Sequence, residues 1–513
     1  MRLPVRCPRL GLALLAFAAP LLAAQTAHAR SSVTQGTVRI AGASLSYTAR
    51  AGTLILRDAR QQPIASVFYV AYTKNGARRG GLRPITFAYN GGPGSSSAWL
   101  HLGGLGPRRL EVPSNAASPA GPPYTLANND YSILDATDLV FIDPVGTGYS
   151  HVLGAASGKQ FWGVDEDVRS MGAIIHDYVA QFDRWNSPKF LLGESYGTFR
   201  TAALANYLQN QGMQLNGVIL LSSVLNFEAS SFAPGNDLPY ILFLPSYTAI
   251  AWYHHALQPQ PAHLRPLLQQ VERFAFDTYA PALLRGDRLG AAARQSLAAQ
   301  LARYTGLSAA VWNQADLRVN AVEFEQRLLA GRGLVIGRLD ARYTGADITP
   351  LVSSRAYPVM QSSINGAFTA TLNQYLSQTL RYATPRTYEV LNGAVSRAWD
   401  WRHRTPFVNF GARPGFTDVV PDLRRAMVTN PHLRLLVNEA YYDLGTPFFA
   451  TEYTLAQLKL PPALAGHVAI EHYRVGHMLY LNTPALAKLH ANLEGFIAST
   501  LAATTTAAPA PGR

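Results

Sequence analysis

Cysteine is almost absent from this chain of 513 residues; Cys7 is the only one. With a single thiol, no intramolecular disulfide can staple the fold. Long apolar runs are also scarce. Beyond the first 30 residues none reaches the roughly 18 residues of a membrane span. The nearest, Leu238 to Tyr253, is interrupted by Pro239, Pro245, Ser246 and Thr248 and reads as a wall of a cap domain. Acidic residues are outnumbered, with 31 Asp and Glu against 44 Lys and Arg, a formal net charge of +13. The arginines are scattered, so this surplus reads as solubility and surface attraction and not as nucleic-acid recognition.

The one long apolar run lies at the start. Met1-Arg2-Leu3-Pro4-Val5-Arg6 is basic, an apolar stretch from Leu10 to Ala24 follows, and Ala27-His28-Ala29 has the small residues of a cleavage site. Residues 1–29 are therefore expected to be a signal peptide. Its removal takes Cys7 with it, and the formal +13 less Arg2, Arg6 and Arg9 becomes +10. An exported chain without disulfides points to a bacterial periplasm or exterior. The remaining roughly 480 residues exceed one ordinary core, so a large α/β domain with an insertion is expected.

The most informative stretch is Gly193-Glu194-Ser195-Tyr196-Gly197, directly after the apolar Lys189-Phe190-Leu191-Leu192. Two glycines around a serine, between a short strand and a helix, describe a nucleophile elbow, where the serine is held in a strained turn above a sheet. Such a serine needs a base and an orienting acid, which on this fold follow in the order acid, then histidine. Asp443 follows the strand-like Leu433 to Asn438 in a loop, and His477 follows the alternating His467 to Tyr473. Ser195, Asp443 and His477 thus form a triad in the expected order. Glu439 is the rival acid, and His467, His472 and His490 compete with His477. The strand-like Pro84 to Tyr89 runs into Asn90-Gly91-Gly92-Pro93-Gly94. There bare N–H groups suit an oxyanion hole formed by Gly92 and Tyr196. A phosphate loop is the weaker reading, since no Gly-Lys-Ser/Thr ending is present.

These blocks, with Leu105-Gly106-Pro107, Phe141 to Ser150 and Gly476-His477-Met478, resemble in sequence and order the signature blocks of the serine carboxypeptidase family, as a bacterial-type member. The resemblance implies an α/β-hydrolase fold with a central, mostly parallel sheet, helices on both faces and a mainly helical cap. It implies a serine-type carboxypeptidase that acts without metal or organic cofactor on peptides with a free C-terminus. It also implies that Asn90, Gly91 and Glu194 bind the substrate's terminal carboxylate. Two like charges in contact repel, so either Glu194 or that carboxylate must be protonated. Two positions depart from the family pattern: Ala88 where many members carry tryptophan, and Ser95 where eukaryotic members have a disulfide cysteine. An esterase or acyltransferase using the same triad, or a periplasmic binding protein with a decayed site, remain as alternatives. The order of elements places the hydrolase core at residues 30–225 and 422–500, the cap insertion at 226–421 and a disordered tail at 501–513. Oligomeric state is not legible.

Overall fold

The computed structural model describes residues 29–76, 83–348, 358–406 and 415–506. The expected signal peptide, apart from Ala29, lies outside them. Among the described residues ten strands form one sheet whose main path runs Ser31–Ile40, Ala43–Arg57, Pro63–Lys74, Asp138–Ile142, Ile85–Tyr89, Lys189–Ser195, Gly217–Ser223, Arg434–Ala440 and Val468–Tyr473. The short strand His151–Val152 pairs beside Pro63–Lys74. The first three strands are an antiparallel meander, and Pro63–Lys74 meets Asp138–Ile142 antiparallel. From there to Val468–Tyr473 every pairing is parallel. The first two strands are separated by a turn at Ala41 and Gly42, which takes positive φ at both residues.

The central strands are buried on both faces, which is why they read as continuous apolar runs. Their side chains alternate between two cores. Phe141, Phe190, Leu192 and Ile219 point to one side, Val140, Leu191, Val218 and Leu220 to the other. On the second side lie the helices Val164–Gln181, Tyr196–Asn210 and Val420–Thr429, the first opened by Asp165, Glu166 and Asp167, where acidic groups favour the helix N-terminus. The first side is covered by Val359–Gln374 and by Thr483–Thr506. The final helix therefore runs through residues 501–506, expected to be disordered; Leu486, Leu489, Leu493 and Ile497 bury one face of it and carry its end along.

Between Gly217–Ser223 and Arg434–Ala440 the insertion divides in two. Its first part builds a separate apolar core around Leu242, Phe243, Tyr247 and Ile250 of the helix Leu238–Tyr253, whose surroundings are apolar on all sides. Its second part, from 358 onward, packs on the sheet itself through Met360, Phe368 and Tyr375. The helix Val420–Thr429 straddles the expected boundary at 421 and belongs to the sheet's helical layer, against Tyr196–Asn210.

The segment that leads back to the core is pinned by His403. Its Nδ1 lies 2.6 Å from Asp165 Oδ1 and its Nε2 2.9 Å from Asp422 Oδ2. Burial opposes the imidazolium, but the two carboxylates outweigh it and push His403 up to about 9. A folded-state value above the unfolded 6.5 means that the stabilisation is full below pH 6.5 and disappears as pH rises through about 9. We expect His403→Gln to lower the melting temperature by a few degrees at pH 6, with the gap to the parent closing by about pH 9 to 10. Thermal denaturation across that range checks this, and a gap that widens with pH would contradict it.

Candidate active site

The strand Lys189–Ser195 sits between Ile85–Tyr89 and Gly217–Ser223, and the candidate site gathers at the carboxyl ends of these strands. Ser195 ends its strand at φ 60° and ψ −132° and the helix Tyr196–Asn210 begins at the next residue. This is a strained conformation for a residue with a side chain, and it fits the elbow expected from the sequence. The turn closes only because its neighbours are glycines. A Cβ on Gly193 would strike the Gly197 carbonyl, and one on Gly91 would strike the N–H groups of Tyr196 and Gly197. Gly91 thereby sits directly against the backbone N–H groups of the elbow. Gly92 itself has φ +105°.

Asn90 is fixed from three directions. Its Oδ1 accepts from Leu100 N at 3.0 Å and its Nδ2 donates to Glu194 Oε1 at 3.0 Å. Its carbonyl accepts from Arg200 Nη1 at 2.8 Å, while Arg200 Nε pairs with Asp167 Oδ2 at 2.6 Å in a buried ion pair. Glu194 is 3% exposed, and burial pushes its carboxyl up to about 7 against the opposing effect of the His477 charge and of hydrogen bonding from Tyr480 and Asn90. Ala88 is wholly buried in its strand and brings no polar group to this corner.

Asp443 and His477 meet as the sequence order predicts. His477 Nδ1 lies 2.6 Å from Asp443 Oδ2, and both side chains are buried. Asp443 also accepts from Gly445 N at 2.7 Å, Thr446 N at 3.2 Å and Thr446 Oγ1 at 2.7 Å. Burial alone would lower His477; the charge and hydrogen bond of Asp443 outweigh it, and the histidine is raised above its ordinary range. Among the described residues no hydrogen bond joins the Ser195 hydroxyl to His477. The two are tied through the backbone: Ser223 is the register partner of Ser195, and its neighbour Ser222 donates from Oγ to the His477 carbonyl at 2.6 Å.

The rivals stand elsewhere. Glu439 accepts from Ser223 N at 3.0 Å with no bond to His477, and burial raises its carboxyl well above the usual range. His472 lies 2.7 Å from Glu452, and His490 lies 3.8 Å from Asp135 on the final helix. His467 follows a short helix away from the strand ends.

Several supporting groups escaped the sequence reading. Thr446, three residues after Asp443, has the spacing of a hydroxyl that closes its own turn, so a local signal existed. Leu339 had none: it comes from the insertion, and its carbonyl accepts the His477 N–H at 2.6 Å. Arg338 O similarly accepts from Leu444 N at 2.9 Å, so one insertion loop braces both the acid and the histidine loops. A second insertion segment braces the glycine loop, with Ser96 N donating to Val390 O at 3.0 Å and Asn392 N to Gly94 O at 2.8 Å.

Residues 47–255 match the family model described as serine carboxypeptidase. The protein named Serine carboxypeptidase-like 36 from Arabidopsis thaliana is 26% identical over 170 residues, covering 32% of this chain and 33% of that protein, so the match spans about a third of the relative's length. Among solved structures, Kex1(delta)p, a prohormone-processing carboxypeptidase from Saccharomyces cerevisiae, aligns over 88% of this chain and 92% of its own with a TM-score of 0.54 and 14% identity. That likeness shows the fold, an α/β hydrolase with the mixed sheet described above. The family resemblance carried by the signature blocks is thus matched by the family model across the glycine loop and the elbow. Among the described residues no helix is long and apolar enough to cross a membrane.

The geometry separates the two acids experimentally. Asp443→Asn should preserve folding and slow covalent capture of Ser195 by a fluorophosphonate by roughly ten-thousandfold, since the amide would hold the wrong imidazole tautomer. Glu439→Gln, already a neutral group's near isostere, should stay within about tenfold of the parent. The reverse order in labelling rates would move the acid role to Glu439.

Proposed function

We propose that this protein is a serine carboxypeptidase that releases C-terminal residues from peptides. The observation that carries the reading is the hydrogen-bonded pair of Asn90 and Glu194 immediately beside Ser195. A buried carboxyl raised to about 7 is neutral under acidic conditions and can share a proton with a substrate's terminal carboxylate without repulsion.

In the proposed reaction His477 Nε2 takes the Ser195 proton as Oγ attacks the last peptide carbonyl. The N–H groups of Gly92 and Tyr196 hold the oxyanion of the tetrahedral intermediate. Asp443 keeps the proton on Nδ1 and stabilises the imidazolium. His477 then passes its proton to the departing amine, the terminal residue leaves, and a water deprotonated by His477 releases the acyl group from Ser195. Asn90, Gly91 and Glu194 receive the terminal carboxylate, so the chain end is measured from the reacting carbonyl. The export expected of residues 1–29 would place this activity in a bacterial periplasm or exterior.

The test compares a peptide with its C-terminal amide. For the acid, efficiency should fall as pH rises through about 7 and Glu194 ionises; the ratio of acid to amide cancels the titration of His477, which both substrates share. Glu194→Gln should flatten that fall, and Asn90→Ala should cut the ratio by roughly ten- to hundredfold, the worth of a hydrogen bond to a charged group. Ser195→Ala should abolish both activities. Equal use of acid and amide at every pH from about 4 to 8 would replace this reading with an esterase or acyltransferase.

A further inference from the structure

Among the buried polar atoms that lack an aligned hydrogen bond are Glu194 Oε2 and the Tyr480 hydroxyl. The two side chains act on one another. Tyr480 is fully buried, and its hydroxyl acts on both Glu194 and Asn90. Orphaned buried polar groups are uncommon and costly, so two at one corner call for a physical account.

Tyr480 cannot swing away to leave Glu194 alone. It lies in the turn Leu479–Leu481, three residues after His477, with its ring wedged against the helical turn His101–Leu105. A Cβ on Gly103 would run into the Tyr480 ring edge, and one on Gly104 would come within 2.5 Å of Tyr480 Cβ. The glycines make room for the ring, and the ring's position sets where the hydroxyl stands. Asn90 holds Oε1 of the same carboxyl, which leaves Oε2 as the oxygen without a partner.

We propose that Tyr480 is a positioning residue for Glu194: its hydroxyl serves Oε2, the oxygen Asn90 does not hold, and together they fix the carboxyl plane that meets a substrate's terminal carboxylate. The last clause rests on the carboxypeptidase reading; the coupling of Tyr480 to Glu194 does not. Burial keeps the Tyr480 hydroxyl protonated, well above its usual range, so it is a donor at working pH. A donor to Oε2 favours the ionised carboxyl. Around Glu194, His477 and the amide of Asn90 act in the same sense as Tyr480, whereas burial and the Asp443 charge oppose them. Removing the hydroxyl therefore leaves Glu194 neutral to higher pH.

Tyr480→Phe keeps the ring that Gly103 and Gly104 accommodate. Carbon-13 NMR of the full chain labelled at glutamate carboxyls should show one titration near pH 7 that is absent in Glu194→Gln. In Tyr480→Phe its midpoint should move upward by about one pH unit, the size expected for loss of one hydrogen bond to a buried carboxylate. The fall of the acid-to-amide ratio should move upward by the same amount, and Tyr480→Phe should add no shift in a Glu194→Gln background. An unmoved or lowered NMR midpoint overturns the proposal. A raised midpoint in an enzyme that never distinguishes acid from amide leaves the coupling standing and overturns the carboxypeptidase reading instead.

Discussion

One backbone conformation governs the site: Ser195 at φ 60°, between a strand end and a helix start. Side-chain residues pay heavily for such angles, and the turn persists because its surroundings leave no alternative. Gly193 removes the atom that would collide inside it, and Gly197 and Gly91 let the elbow and the neighbouring loop close onto one another. Once that contact forms, Asn90 reaches Glu194, and the Arg200 and Asp167 pair, buried under the elbow helix, locks the Asn90 carbonyl. Breaking either partner of that pair would strand an uncompensated charge in the core, so the lock is hard to lose by small changes.

The insertion does more than roof the site. Its loop at Arg338 and Leu339 accepts hydrogen bonds from the acid loop and from His477, and its segment from Val390 to Ser396 grips the glycine loop, with Ser396 Oγ donating to Pro93 O. Every loop at the strand ends that carries a proposed catalytic group, except the elbow, is thus held by insertion backbone. The Trp399 and Trp401 rings pack edge-on against Tyr196, so even the elbow is touched from outside the sheet. Loops anchored in this way can hold reacting groups to the tolerance that catalysis needs.

Burial divides the ionisable groups of the protein by their partners. Arg200 with Asp167 and His403 between Asp165 and Asp422 keep their charge because opposite charge lies in contact. Glu194 and Glu439 accept hydrogen bonds from the neutral donors Asn90 Nδ2 and Ser223 N, and desolvation drives both toward the neutral acid, for Glu194 even against the His477 charge. Asp143 behaves likewise, pushed up to about 6 beneath the glycine loop although Ser97 N donates to it at 2.9 Å. Two carboxyls of similar burial and different partners can therefore serve different tasks, in the proposed reaction Asp443 orienting the imidazole and Glu194 meeting a like charge.

What the sequence by itself determined were the features written into short stretches. The elbow, the glycine loop, the strand ends bearing Asp443 and His477, and the parallel strands between 85 and 223 all express local needs for bare backbone, a strained turn or continuous burial. The sequence reading takes Asp443 as the acid with Glu439, four residues earlier, as its rival; in the fold the register turns Glu439 toward Ser223, and the loop swings Asp443 onto His477. Tertiary structure alone also decided the bracing by Leu339 and Asn392, the division of the insertion into two packed parts, and the meeting of Tyr480 with Glu194. Those contacts join residues tens to hundreds of positions apart. Each is made by a backbone group or a tyrosine hydroxyl that carries no local pattern, so only the folded arrangement of sheet and insertion brings them together.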